Sequence, residues 1–170
     1  MSAKLGLIVI AVYLFVALFA PVIAPYSETE ILGGAYEVWS EKHLLGTDNL
    51  GRDMLSRLIY GARNTIGIDL AAVVLAFLIG GTMGMLVAIL GGWYDTVISR
   101  IVDILMAVPS LVFALLILTI MGTSIPTLVL VIAVLDSTRV FRITRAAAMN
   151  IAVMDFVEVA RLRGEGLGWV

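Results

Sequence analysis

From Leu5 to Ala24 the chain carries no charged side chain, a run as long as the ~20 residues that take a helix across a bilayer. Further apolar runs recur at 65–90, 104–121 and 127–135. In hydrocarbon no water is available to hydrogen-bond the peptide groups, so each such run must satisfy them internally. Composition agrees: 61% of the residues are hydrophobic and 14% charged, where a soluble domain has roughly a quarter charged. The chain is therefore expected to be an all-α polytopic membrane protein of about four spans, solvated mainly by lipid.

The first run, within 1–25, follows the lone charge of Lys4. A short basic start before an apolar core is also the pattern of a signal peptide. This core has spanning length, however, and Pro21 and Pro25 would sit directly after the small residues that mimic a cleavage site. An uncleaved first span is expected, with its N-terminus inside.

Several function classes are excluded. Lys4 and Lys42 are the only lysines, so no P-loop of the G-x-x-x-x-G-K-[ST] type can form, and any ATP must be held by another subunit. Cysteine is absent and histidine occurs once, which removes thiolate chemistry and His-rich metal cages. A net charge of −2 argues against a nucleic-acid partner.

Residues 26–64 form a polar insert, expected to be an external loop with an amphipathic helix. Gly46 permits a turn, and Thr47 or Asp48 can cap the helix that follows. Leu50, Met54, Leu55, Leu58 and Ile59 recur at helical spacing. Asp53 and Arg57 stand i,i+4 in the favourable order.

In the second run, Gly80-x-x-x-Gly84 lets another helix approach closely, and Asp69 lies near the start, where the headgroup zone can hold it. Gly91 and Gly92 end the run beside the interfacial aromatics Trp93 and Tyr94. A short amphipathic link, 96–103, leads to the third span, which Pro109 can kink, and residues 122–126 read as a tight hairpin. The fourth run is interrupted by Asp136, which can pair with Arg139 at i,i+3.

Five of the nine arginines fall between Arg139 and Arg163. This basic cluster places the tail in the cytoplasm, so the insert with Arg52, Arg57 and Arg63 lies outside, where loop length weakens the positive-inside rule.

The segments in order resemble the inner-membrane permease subunits of binding-protein-dependent ABC importers, in the dipeptide/oligopeptide/nickel branch. The resemblance covers nearly the whole chain and rests on an ordered set of motifs. These are His43-x-x-Gly46-Thr47-Asp48-x-x-Gly51-Arg52-Asp53-x-x-Ser56-Arg57, then Gly61-Ala62-Arg63, Gly91-Gly92-Trp93-x-Asp95, Arg100-x-x-Asp103 and Pro109. Last come Arg142-x-x-Arg145 and Phe156-Val157-Glu158-x-Ala160-Arg161-x-x-Gly164.

The resemblance implies a type I ABC importer-like transmembrane domain over 65–170. Residues 142–170 would carry the cytoplasmic "EAA" coupling segment, whose two short helices, joined at Gly164, dock on the ATPase. It implies a non-catalytic subunit that works with a second homologous permease, two cytoplasmic ATPases holding ATP-Mg, and an external solute-binding protein. The expected location is a bacterial-type inner membrane. In the coupling segment Phe156, Val157 and Ala160 make an apolar stripe suited to a groove. Glu158 and Arg161 flank that stripe, and Gly164 allows a sharp break.

The chain departs from the family pattern at Val159, in place of the middle alanine, at Ser137, where many members have Trp, and at Phe141, where a small residue is usual. It also stops before the second half of the loop and about two further spans, so Val170 is expected to be the edge of a fragment. A competing reading makes the chain an ion-coupled transporter or channel using Asp69 and Asp136. No His/Cys cluster or G-x-S-x-G supports an enzyme.

Overall fold

A computed structural model describes residues 2–164, apart from individual side chains, as six helices in two compact units, Met1–Asp69 and Leu70–Val170. Among the described residues no strand forms; two isolated bridges, Ile31 with Arg52 and Thr47 with Asp53, are the only extended pairings.

The first unit begins with helix α1 (Ser2–Ile23). Leu7, Ile8, Leu18 and Val22 stand exposed around its circumference, as a helix solvated by lipid requires. Pro21 lies in its last turn, where the missing N–H costs one late hydrogen bond and hastens the end. Helix α2 (Met54–Leu90) follows the polar loop and crosses into the second unit. At about 1.5 Å per residue its 37 residues reach roughly 55 Å, nearly twice a hydrocarbon core of about 30 Å. The expected amphipathic helix and second span are thus one helix, because no proline interrupts it and Asn64, a cap-type residue, turns its side chain to Glu28 Oε1 instead.

In the second unit Gly91 and Gly92, both at positive φ (61° and 56°), turn the chain from α2 into α3 (Gly92–Ala107). Trp93 and Tyr94 there are exposed, as interfacial aromatics should be. Helix α4 (Ser110–Met121) comes next, then α5 (Ile125–Ala152) and α6 (Asp155–Leu162). The expected third span over 104–121 is not one helix. Val108 is extended, as the residue before a proline prefers, and α3 and α4 meet at 89°. The turn at 122–124 ends at Ser124, whose Oγ accepts from Thr127 N. Val87, Val102 and Phe141 form a small apolar core joining α2, α3 and α5.

Helix α5 runs straight past Asp136, so the short fourth run and its arginines share one rod. Among the described residues two helices, α1 and α2, are long and apolar enough to cross a membrane, or three spans if the bent α3–α4 pair counts as one. The expected number of four is therefore approximate, since α5 carries Asp136, Arg139 and Arg142 within residues 125–142, the stretch that would have to cross.

The GxxxG expectation holds in detail. A Cβ on Gly80 would lie 2.3 Å from Ser137 O, and one on Gly84 2.9 Å from Phe141 O. The glycines let the backbones of α2 and α5 meet directly.

Candidate functional site

In the second unit the motif residues of α3 and α5 converge on one another. Arg142 and Arg145 stand i,i+3 and so share a face of α5. Arg145 donates from Nε to Asp95 Oδ1 at 2.5 Å and from NH2 to Oδ2 at 2.6 Å, a bidentate pair that Ser99 Oγ supports at 3.2 Å. Arg142 NH2 donates to Asp103 Oδ1 at 2.5 Å. Arg100 is exposed and pairs with none of the described residues. Fork-to-carboxylate geometry fixes orientation as well as distance, so two arginines tie α5 to α3. Sequence reasoning named all four partners but not their pairing. In a chain with so few charges, two carboxylates and two guanidinium groups near apolar runs are the signal that points to mutual neutralisation.

Beyond this belt α5 ends at Ala152, and α6 contacts it after a short turn in which Met154 N donates to Ile151 O at 3.0 Å. Gly164 follows at φ 79°, the left-handed conformation that a break here requires. Val157 is 2% exposed, so it packs within the chain rather than presenting to a groove. The exposed apolar residues of α6 are Val159 and Leu162, three positions apart and hence on one face. The side chains of Phe156, Glu158, Ala160 and Arg161 lie outside the described residues, although their backbone belongs to α6.

In the first unit the loop motif builds two carboxylate cages. Asp48 accepts from Leu50 N at 2.8 Å, Arg52 N at 3.0 Å, Arg52 Nε at 2.9 Å and Arg57 NH1 at 2.5 Å. Burial pushes its carboxyl up, but these N–H groups and the Arg52 guanidinium outweigh that and hold it far below the usual range. Asp53 accepts from Ser56 N at 2.8 Å, Ser56 Oγ at 2.7 Å and His43 Nδ1 at 3.1 Å. Burial raises this carboxyl too, and the Ser56 and His43 hydrogen bonds bring it below its ordinary value.

Two expectations are corrected here. The helix starts at Met54, so Asp53, not Thr47 or Asp48, is its cap. With its carboxylate committed to Ser56 and His43, Asp53 does not pair with Arg57, which turns to Asp48 instead. Thr47 staples the loop, accepting from Glu37 N and donating to Gly34 O. Gly46 and Gly51 have positive φ, and a Cβ on either would lie 2.3 Å or 2.1 Å from a backbone carbonyl oxygen. The motif residues of this loop are thus structural, since together they hold a strandless loop in one conformation.

Asp69 is exposed on α2, and Asp136 is partly buried on α5, in contact with Arg139 at 3.4 Å. Pro109 occupies the α3–α4 break.

Comparison with known proteins gives two family matches. Residues 76–167 match the binding-protein-dependent transport system inner membrane component, and residues 1–37 match the N-terminal transmembrane domain of oligopeptide transport permease C. A dipeptide transport system permease protein of Haemophilus influenzae is 37% identical, over 98% of this chain and 59% of its own length. A di/tripeptide transport system permease protein of Pseudomonas aeruginosa is 39% identical over 95% of this chain and 55% of its own. A dipeptide transport system permease protein of Escherichia coli is 39% identical over 97% and 57%. The chain thus spans somewhat more than half the length of these relatives.

Proposed function

Since this chain belongs to the binding-protein-dependent transport system inner membrane component family, we propose that it is a permease subunit of an ATP-driven importer of small peptides. It forms half of a translocation pathway with a second, homologous permease. Two cytoplasmic ATPase subunits hold ATP-Mg and drive it, and an external solute-binding protein delivers the peptide. The N-terminus and α6 lie on the cytoplasmic side, and the loop of the first unit lies outside. Peptide as cargo is supported by relatives whose names specify dipeptides or di/tripeptides.

The observation that carries this reading is the position of α6: an exposed apolar pair on a short helix, at the end of the rod that carries both α3-binding arginines, with a glycine break behind it. That arrangement offers a small helical face to a groove and links it mechanically to the spans. In the assembled transporter, Glu158→Lys or Gly164→Leu should abolish ATP-dependent dipeptide uptake while membrane insertion stays intact. Uptake at the wild-type rate in both variants would refute the coupling role.

A further inference from the structure

The 89° elbow between α3 and α4 faces α5 across a cavity of about 380 Å³, a size that small ligands occupy. Val108, Pro109 and Ser110 of the elbow and Ala114 of α4 form one side, and Asp136 and Arg139 of α5 lie opposite. Those are the only charged groups in an otherwise largely apolar lining, since the Thr138 hydroxyl is taken up by Leu135 O at 2.7 Å. Among the described residues, one contact of 3.4 Å is the single hydrogen bond that either charged side chain makes. A carboxylate can accept about four hydrogen bonds and a guanidinium donates five, so nearly all of their capacity is unused. The arginines of the α3 belt, by contrast, reach their carboxylates at 2.5–2.6 Å.

The elbow adds a second pair of opposite charges. Leu105 and Met106, in the last turn of α3, and Ser110 and Leu111, in the first turn of α4, line the same cavity. Last-turn carbonyls carry partial negative charge and first-turn N–H groups partial positive charge. Broken helices in membranes present their ends to polar solutes in this way. Two positive and two negative groups therefore surround an apolar space with no net charge. Such a site suits a small molecule with separated charges.

Side chains three residues apart on a helix lie about 5–6 Å from each other at Cβ. In the structure the two charged ends meet at 3.4 Å, so a ligand that takes both must part them; two extended residues span at most about 7 Å and can hold them apart over that Cβ spacing, whereas a free amino acid carries both charges on one Cα. We propose that the elbow cavity is a dipeptide site on the import pathway, where Asp136 holds the N-terminal ammonium and Arg139 the C-terminal carboxylate. It rests on the permease reading above and gives that reading a point of contact with the cargo.

The test uses the complete transporter in lipid nanodiscs without its binding protein, and saturation-transfer NMR with dialanine, N-acetyl-dialanine and dialanine amide. Asp136→Asn should weaken dialanine about tenfold and leave the N-acetyl form unchanged, as expected for one charge-assisted hydrogen bond. Arg139→Gln should weaken dialanine and the N-acetyl form about tenfold and leave the amide unchanged. Ala114→Trp, which fills the cavity without touching either charge, should weaken all three. The site is overturned if wild type gives no saturation transfer, if either charge variant weakens all three ligands alike, or if free alanine binds as well as dialanine. ATP-dependent uptake of dialanine with the binding protein present separates the two levels. Uptake without a dialanine signal removes this site and leaves the permease reading standing, whereas no uptake by wild type removes both.

Discussion

Replacing Gly80 with alanine tests whether the direct α2–α5 contact holds the second unit together. The added Cβ would lie 2.3 Å from Ser137 O and 2.9 Å from Phe141 N, both backbone atoms that no rotamer change can move aside. Ordinary contact begins at 3.4 Å, so the helices must part by about 1 Å. A gap of about 0.5–1 Å already forfeits a quarter to a half of the dispersion well at each contact it opens. Overpacking of this kind costs about 1–3 kcal/mol. Gly81 supplies the control. It is the next residue on the same helix, with nothing within 4 Å of its Cβ, and Gly→Ala there gains up to about 1 kcal/mol of helix propensity. Both substitutions lie inside α2 and share that propensity gain, so the two variants should differ by the overpacking alone, about 1–3 kcal/mol, with Gly81→Ala neutral or better and Gly80→Ala below it. Denaturation by SDS titration in mixed micelles, followed by circular dichroism, measures the difference. Equal midpoints for the two variants would show that α2 and α5 are not held by this contact.

The ion-pair belt should be uneven. A double-mutant cycle of Asp95→Asn with Arg145→Gln should give a coupling of about 1.5–3 kcal/mol, and one of Asp103→Asn with Arg142→Gln at most about 1 kcal/mol, because the second pair is roughly half exposed. The loop of the first unit should respond to acid. Both the Asp48 and Asp53 carboxyls are held below their ordinary value of 3.8, so their contribution is fully present above that value and is lost as pH falls through the folded-state values. Limited proteolysis of the 24–53 segment should accelerate below about pH 4; a cleavage rate constant from pH 7 down to pH 2 would show that the cages do not hold the loop.

What could be read in advance depended on how local the cause was. Helix α1 and the apolar half of α2 follow from unbroken apolar runs, and the Gly80–Gly84 spacing announces a close helix neighbour without naming it. The continuity of α2 could not be read from the sequence, since Asn64 is a residue type that often caps a new helix; in the structure its side chain donates to Glu28 instead. Nor could the sharpness of the α3–α4 elbow, since a proline licenses anything from a slight bend to a full break. Asp53 shows how one boundary reassigns several contacts: once the helix starts at Met54, its carboxylate is the cap, and Arg57 must look to Asp48. The pairing within the belt lay beyond the sequence because its partners are 39 and 50 residues apart. Nothing in the spacing of either helix ranks Asp95 above Asp103 as the mate of Arg145.

Stiffness is distributed unevenly along the path from α6 to the elbow cavity. From Asp136 to Ala152 the chain is one uninterrupted helix, about 24 Å at ~1.5 Å per residue, so a displacement at one end reaches the other with little loss. Along that length α5 is fastened to α3 by two arginine–carboxylate pairs and to α2 by a backbone contact that only glycine permits. Helix α4 is fastened differently. It follows α3 through Val108 and Pro109, two residues outside any helix, and it carries no charged side chain to pair across to α5. Hinges fall where a few element-terminal residues can absorb a change in φ and ψ; Val108 and Pro109 meet that description, as do Val153 and Met154 between α5 and α6. A load passed from α6 to α5 therefore reaches α3 as well, and the elbow can absorb a movement of α4 against them. The elbow is also the wall of the cavity that faces Asp136 and Arg139, so movement at this hinge would reshape that recess.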